Sequence, residues 1–161
     1  MLTLHIITVG RDKEQWISDQ LGHYTTLLKK YAAVEFSVVG EAKYSRSTDM
    51  KRALADEASS IAARLKGGYL FLLDAAGKAF TTDTLAAEIE ILQSHGYSLL
   101  EFVIGGPYGL DPAFKLTRQK SGACRLLSLS PLTMSHQIVR LVLLEQLYRV
   151  LNLNAGGKYH K

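Results

Sequence analysis

The sequence predicts a single α/β domain over residues 1–161, built on a mostly parallel sheet of about five strands. Short apolar runs alternate with segments of helical periodicity along the whole chain, which is the order of strand–helix–strand units. The runs are apolar at consecutive positions, as in strands that helices cover on both faces. No repeat, low-complexity stretch or linker divides the chain.

The chain opens with a strand, a helix and a second strand. Leu2–Val9 is largely apolar and ends at Gly10, as expected of a first strand. Residues 12–31 carry apolar side chains at helical spacing, and Val34–Val39 forms the next strand. Residues 40–46 are polar and predict an exposed loop.

A second helix and a third strand follow this loop. Ser47 or Thr48 is the expected N-cap of the helix. Apolar residues at helical spacing predict its face toward the core: Met50, Leu54, Ala58, Ile61 and Leu65. Tyr69–Leu73 is a short, wholly apolar strand that ends at Asp74.

The third helix and the fourth strand repeat this order. Thr81 or Thr82 is the expected N-cap, and Gly96 is expected to close the helix. Its inner face is predicted to be Leu85, Ile89 and Leu92. Leu99–Ile104 is the fourth strand, and it runs directly into a glycine-rich turn.

The last part of the chain contains a short helix, a fifth strand and a long helix. An Asp-Pro pair at 111–112 opens the short helix, Cys124–Leu129 is the strand, and the long helix runs from Ser135 to about Asn152. This helix is apolar on nearly every side: Ile138, Val139, Leu141, Val142, Leu143, Leu144, Leu147 and Leu151. A helix with almost no polar face is expected to be buried on more than one side. It therefore predicts a homodimer interface, with burial inside one subunit as the alternative.

Charge is unevenly distributed. From Asp111 onward the chain has eight Lys or Arg against two acids, a net charge of +6, whereas the first 110 residues carry −2. A basic C-terminal third suggests a polyanionic partner, with RNA as the first choice. An ordinary solvated basic face is the alternative.

The sequence lacks the motifs of several protein classes. Gly10 stands alone after the first strand, which argues against a dinucleotide-binding fold and an ordinary Rossmann methyltransferase; P-loop and hydrolase-elbow motifs are also absent from the sequence. One cysteine, Cys124, and five unclustered histidines argue against a disulfide or a zinc site. The sequence has no 18-residue apolar run and no signal peptide, which predicts a cytoplasmic protein without a membrane span.

Two loops at predicted strand ends are candidates for a ligand site. Gly105–Gly109 has three glycines in five residues, and Ser130–Met134 precedes a helix whose first N–H groups are free to donate. Ligands of parallel sheets bind at the carboxyl ends of strands, so these loops and the end of the third strand predict one pocket. Neither loop carries a lysine, so an adenine and ribose suit them better than a triphosphate. The alternative is a pair of ordinary turns, with Ser135 or Thr133 only capping the helix.

Taken in order, the motifs resemble the large-subunit ribosomal RNA pseudouridine N3-methyltransferases (methyltransferase H) of the SPOUT class. The resembling segments are Val9-Gly10, Leu73-Asp74, Gly77-Lys78, Ile104–Leu110, Leu129 to Arg140, Glu145–Arg149 and Tyr159–Lys161. The resemblance implies a C-terminal trefoil knot, S-adenosylmethionine as cofactor, and a homodimer whose site is completed by the partner's tail. It implies as substrate a pseudouridine in large-subunit ribosomal RNA, within the assembled ribosome.

The resemblance also implies the site residues. The cofactor would contact Leu73, Gly105, Leu129, Ser130, Pro131, Leu132, Thr133 and Met134. The candidates for the methyl-transfer step are His136, Arg140, Tyr159, His160 and Lys161. Two positions depart from the commonest pattern: Ser135 stands where a proline often precedes the histidine, and Tyr108 stands where a glutamate is often found.

The chemistry explains why such residues are needed. N3 of a uracil-like ring carries a proton and becomes a good nucleophile only on losing it, so nearby positive charge and a proton acceptor both help. Each candidate also has a structural reading: His136 as a helix cap, Arg140 as a solubilising charge, and Arg149 as an i,i+4 partner of Glu145. A non-catalytic RNA-binding module and a small flavodoxin-like nucleotide hydrolase are the rival functions.

Overall fold

The computed structural model describes residues 1–43, 46 and 49–159. Within these residues, strands and helices occur in the order β1 Leu2–Val9, α1 Gln15–Leu28, β2 Ala32–Val39, α2 Met50–Ala62, β3 Tyr69–Ala79, α3 Thr82–Ser94, β4 Leu99–Ile104, α4 Pro112–Lys120, β5 Cys124–Ser128 and α5 His136–Asn154. The strands form one sheet in the order β2-β1-β4-β3-β5, and every pairing is parallel. The predicted α/β fold with a five-stranded parallel sheet is confirmed.

Two hydrophobic cores lie on opposite faces of the sheet, because successive side chains of a strand point to opposite sides. Leu4 and Ile6 belong to the larger core, which also includes residues of α1, α3 and α5. Ile7 and Val9 belong to the smaller core, beside residues of α2 and α4. The central strands are buried on both faces, as their continuous apolar sequences predict.

Hydrogen bonds show which of the predicted residues cap the helices. Thr81, and not Thr82, caps α3 in a reciprocal capping box with Thr84. Asp111 accepts the N–H of Phe114 at 3.0 Å at the start of α4. Ser47 and Thr48, the predicted caps of α2, lie outside the described residues.

The inner face of α2 differs from the predicted stripe. Ala53 and Glu57 are buried, whereas Met50 and Leu54 are only half-buried. Ala58 and Ile61 of the predicted stripe are buried, as apolarity at helical spacing predicts. Glu57 is a buried acid on the otherwise apolar inner face of α2.

Strand β3 is longer than predicted, and this lengthening shapes the site. Leu73 and Lys78 both pair with Leu127 of β5, so the residues between them bulge out of the ladder. At Gly77 a Cβ atom would lie 2.7 Å from the carbonyl carbon of Leu126, so only glycine permits the strand to return to the sheet here. The prediction that the strand ends at Leu73 is therefore wrong.

A buried polar network ties strands together at a distance from this bulge. Glu101 accepts the N–H groups of Lys66 and Gly68, each at 2.9 Å, and lies 3.0 Å from Nδ1 of His5. Nε2 of His5 lies 2.8 Å from the hydroxyl of Ser37. These hydrogen bonds satisfy two buried ionisable groups, as burial requires. None of the described helices is long and apolar enough to cross a membrane.

Candidate functional site

A cavity of about 530 Å³ lies at the bulge in β3, at the carboxyl ends of β4 and β5, and at the first turn of α5. Its lining includes Leu73, Asp74, Ile104, Gly105, Gly106, Leu127, Leu129, Ser130, Leu132, Thr133, Met134, Ser135, His136 and Val139. This is the edge at which parallel sheets bind ligands, and the volume is that of a small-molecule site.

Most of the residues predicted for the cofactor line this cavity. Leu73, Gly105, Leu129, Ser130, Leu132, Thr133 and Met134 are all in its wall. Pro131 is exposed on the same loop and does not line it. The three strand ends that the sequence indicated therefore meet in one place, while the contact of each residue with a cofactor stays a prediction.

The glycine turn forms one wall. The N–H of Gly109 donates to the carbonyl of Gly106 at 3.0 Å, and Gly109 has a φ of +78°, which favours glycine. A Cβ atom at Gly105 would lie 2.8 Å from the carbonyl carbon and oxygen of Gly109. Gly105 is therefore required for the turn to close on itself, in addition to any approach of a ligand.

The loop between β5 and α5 forms the opposite wall. The hydroxyl of Ser128 donates to the carbonyl of Ser130 at 3.1 Å, and the N–H of Leu132 donates to the Ser130 hydroxyl at 3.0 Å. Ser135, not Thr133, accepts the N–H of Ile138 at the start of α5. Hydroxyl groups that the sequence suggested as ligand contacts thus fix the loop's own shape.

Asp74 places a fixed negative charge in the wall. It accepts Nζ of Lys115 at 2.6 Å and the N–H of Ala76 at 2.9 Å. Burial alone would raise the pKa of Asp74, but these hydrogen bonds outweigh it and lower the pKa below its ordinary value. The carboxylate is therefore ionised at neutral pH and held by α4.

His136 is the titratable base in the cavity wall. Burial lowers the pKa of His136 and the positive charge of Arg140 lowers it further, while Glu41 and Asp12 act in the opposite direction. As the first residue of α5, it also lies at the positive end of a helix dipole, which disfavours its protonation. A neutral imidazole at pH 7 is able to accept a proton.

Arg140 lies one turn further along α5, outside the cavity lining. It is 4% exposed, forms an ion pair with Asp12, and donates from Nη2 to the carbonyl oxygens of Val9 at 3.0 Å and Gly10 at 2.7 Å. The reading of Arg140 as a solubilising charge is wrong, because its guanidinium is buried. It fastens the end of β1 to α5.

The predicted tail residues lie elsewhere. Tyr159 packs its ring on Tyr148 with centroids 4.6 Å apart, and its carbonyl accepts Nη1 of Arg149 at 3.2 Å. Its N–H donates to Asn152, more than four turns of α5 beyond His136, or about 24 Å along the helix. His160 and Lys161 lie outside the described residues. The expected ion pair of Arg149 with Glu145 is present.

A family model described as "Predicted SPOUT methyltransferase" matches residues 2–160. The chain belongs to the SPOUT methyltransferase family. "Ribosomal RNA large subunit methyltransferase H" of Bifidobacterium adolescentis is 37% identical, over 99% of this chain and 100% of the relative. The protein of the same name from Pelobacter propionicus is 36% identical, over 99% of each chain. Membership of this family makes S-adenosylmethionine the cofactor.

Solved structures share the fold at much lower identity. A crystal structure of a hypothetical protein gives a TM-score of 0.54 at 14% identity, covering 94% of this chain and 68% of that one. A methyltransferase of Legionella pneumophila, described as in complex with bound SAM, gives 0.50 at 13% identity, with coverage of 97% and 67%. These likenesses concern the fold of this SPOUT methyltransferase.

Sequence reasoning missed some residues of the site. Gly106, Ser135 and Val139 line the cavity but were not among the predicted cofactor contacts. Asp74 was recognised only as the end of a strand. A detectable signal existed for Glu57, because it is an acid at a core position of an amphipathic helix, where acids are rarely buried.

Proposed function

We propose that this SPOUT methyltransferase transfers a methyl group from S-adenosylmethionine to N3 of a pseudouridine in large-subunit ribosomal RNA. It acts as a cytoplasmic homodimer on the assembled ribosome. The relatives named for large-subunit ribosomal RNA methylation support the RNA class, since they align along the whole chain. The observation that carries the proposal is the cavity between the bulge in β3 and the ends of β4 and β5, with His136 in its wall.

The residues of the cavity fit the cofactor. Apolar side chains such as Leu73, Leu129 and Val139 suit the two faces of an adenine ring, and the ionised Asp74 suits a hydroxyl or an ammonium group. Gly105 and Gly106 of the glycine turn line the cavity without bulky side chains. When bound, S-adenosylmethionine supplies an electrophilic methyl group on a positively charged sulfur.

His136 is the group of this chain that suits the proton step. N3 of the base loses its proton as it becomes a nucleophile, and a neutral imidazole at the cavity accepts that proton. Arg140 acts through position: by fastening Val9 and Gly10 to α5, it holds β1 against the helix that carries His136. The base binds against this first turn of α5.

A second copy of the chain completes the site in this proposal. In its own subunit Tyr159 contacts Tyr148 and Asn152, about 18 and 24 Å along α5 from His136, so in this proposal a tail that contacts the base comes from a partner. A second cavity of about 630 Å³, beside α1, α5 and β2, exposes 48% of Phe36 and 43% of Val38. Such an apolar groove suits burial by a partner subunit. We propose the C-terminal knot as well, supported by the family and by the pairing of β5 with β3.

Three measurements test this function. Calorimetry should give saturable binding of S-adenosylmethionine, and light scattering at micromolar concentration should give the mass of a dimer. Labelled cofactor should transfer its methyl group to assembled ribosomes and much less to free ribosomal RNA. A folded protein that binds ribosomes but neither binds the cofactor nor transfers methyl groups would instead be a non-catalytic RNA-binding module.

A further inference from the structure

Glu57 is a buried acid beside the cavity that the proposed chemistry does not use. It lies on α2 and is 7% exposed. Its Oε1 accepts the N–H of Ala42 at 2.9 Å. Its Oε2 lies 4.0 Å from the position that a Cβ atom would occupy at Gly106, in the glycine turn. Glu57 therefore lies between the loop after β2 and the cavity wall formed after β4.

The loop that Glu57 holds runs along the edge of the site. Glu41 has its Oε2 only 3.6 Å from the Cβ position of Gly10, at the end of β1. The negative charge of Glu41 partly offsets the lowering of the pKa of His136 by burial and by Arg140. Lys43, two residues on, is exposed and positively charged. We call residues 41–43 the rim segment.

The carboxyl group of Glu57 is costly in this position. Burial raises the pKa of Glu57, the N–H of Ala42 opposes this, and the charge of Glu41 adds to it. A buried carboxyl group loses hydration that one hydrogen bond replaces only in part. An apolar side chain would fill the same space more cheaply, so the hydrogen bond to the rim segment is what the carboxyl contributes.

We propose that Glu57 is a positioning residue that holds the rim segment beside the glycine turn and thereby fixes the edge of the cavity past which RNA approaches. The inference rests on the proposed function, because RNA must approach His136 past this edge for its base to meet the cofactor. Glu57 itself touches neither the cofactor nor the reacting atoms. Its substitution should weaken RNA engagement and leave the cofactor's affinity nearly unchanged.

Four variants test this role. Glu57→Ala removes the acceptor of the Ala42 N–H. Glu57→Gln keeps an acceptor oxygen and removes the charge. Asp56→Ala is the matched control, since Asp56 is the exposed neighbour on the same helix. If the alanine variant is too unstable to purify, Glu57→Met fills the space without an acceptor.

Three readouts separate the rim from the cofactor pocket: amide exchange of the rim segment, the Kd for S-adenosylmethionine, and the Kd for ribosomes. Glu57→Ala should accelerate exchange and weaken ribosome binding about tenfold each, the scale of one lost hydrogen bond. Its Kd for the cofactor should stay within about threefold of the wild type. Glu57→Gln should restore most of both losses, and Asp56→Ala should match the wild type.

Either of two results would overturn the inference: unchanged ribosome affinity in Glu57→Ala and Glu57→Met, or a loss of cofactor affinity as large as the loss of ribosome affinity. Failure of the proposed function is a separate result. A wild-type protein that binds ribosomes without methylating them would refute the proposed enzymatic function. The ratio of ribosome affinities between Glu57→Ala and wild type would still decide the role of Glu57.

Discussion

Substitution of Gly105 by alanine tests the link between turn geometry and cofactor binding. The new Cβ atom would lie 2.8 Å from the carbonyl carbon and oxygen of Gly109 and 3.1 Å from Cδ2 of Leu110. The first two contacts are shorter than the usual separation of nonbonded atoms, and they involve backbone, which cannot rotate away as a side chain does. The turn that carries the 3.0 Å hydrogen bond from Gly109 to Gly106 must therefore shift.

The magnitude follows from these contacts. Overpacking costs about 1–3 kcal/mol, and loss of the turn's hydrogen bond adds about 1 kcal/mol. Gly105→Ala should therefore lower the free energy of unfolding by about 2–4 kcal/mol. The cavity wall is expected to move to relieve part of this cost. If cofactor binding must reverse about half of that relief, the Kd for S-adenosylmethionine rises about tenfold.

Urea denaturation and titration calorimetry measure these two effects. Gly40→Ala is the matched control, because no atom lies within 4 Å of its Cβ position and its φ is not in the positive range. A Gly105→Ala protein with wild-type cofactor affinity would show that this turn is not part of the cofactor site.

Three further changes have defined outcomes. His136→Gln should reduce methyl transfer about 100-fold without weakening cofactor binding. In the wild type the acid limb of the pH–rate profile should lie below pH 6.5, because the pKa of His136 is lowered. An acid limb above that pH would exclude His136 as the base. Glu57 has a raised pKa, so its folded state favours the protonated acid, and its contribution to stability is present at low pH and lost as pH rises through the folded pKa. Glu57→Gln should therefore raise the free energy of unfolding at pH 7.5, with a gain that shrinks toward pH 4 in urea titrations; a pH-independent gain would contradict the assignment. Deletion of residues 159–161 should spare cofactor binding in calorimetry and stop methyl transfer, and a truncated protein with full activity would make the tail a bystander.

The sequence predicted the sheet well because its strands are buried on both faces. Leu2–Val9 and Leu99–Ile104 have the predicted bounds, since continuous apolar runs between turn residues leave little ambiguity. The cap of α3 was predicted as one of two neighbours, and the hydrogen bonds between Thr81 and Thr84 show that it is Thr81. The bulge in β3 was missed because it depends on Leu127 of another strand pairing twice, which no local pattern encodes.

The basic C-terminal third indicates a polyanionic partner less strongly than its net charge suggests. Four of the cations in the basic C-terminal third form ion pairs with carboxylates: Lys115, Arg125, Arg140 and Arg149. Three of these carboxylates, Asp74, Glu88 and Asp12, lie in the slightly acidic first part of the chain. Much of the sequence asymmetry thus becomes attraction between parts of the fold. Lys120 and Lys158 remain exposed.

The site was predictable at the level of its loops but not of its side chains. Three strand ends were expected to meet, because carboxyl ends of parallel strands share one edge, and they line one cavity. The burial of Arg140 was not predictable, since its partner Val9 is distant in sequence, whereas Glu57 offered a signal as an acid at a core position of α2. Composition alone does not separate an arginine on a surface from one that binds buried carbonyl groups.

The most direct test of the central claim is to identify the nucleoside that this protein modifies. Assembled ribosomes that carry the pseudouridine but lack its methyl group would be incubated with the protein and methyl-labelled S-adenosylmethionine. The large-subunit RNA would then be digested and its nucleosides analysed by mass spectrometry. Label should appear in N3-methylpseudouridine, and about 100-fold more slowly when His136→Gln replaces the wild type. Label in another nucleoside, or none in large-subunit RNA despite saturable cofactor binding, would contradict it.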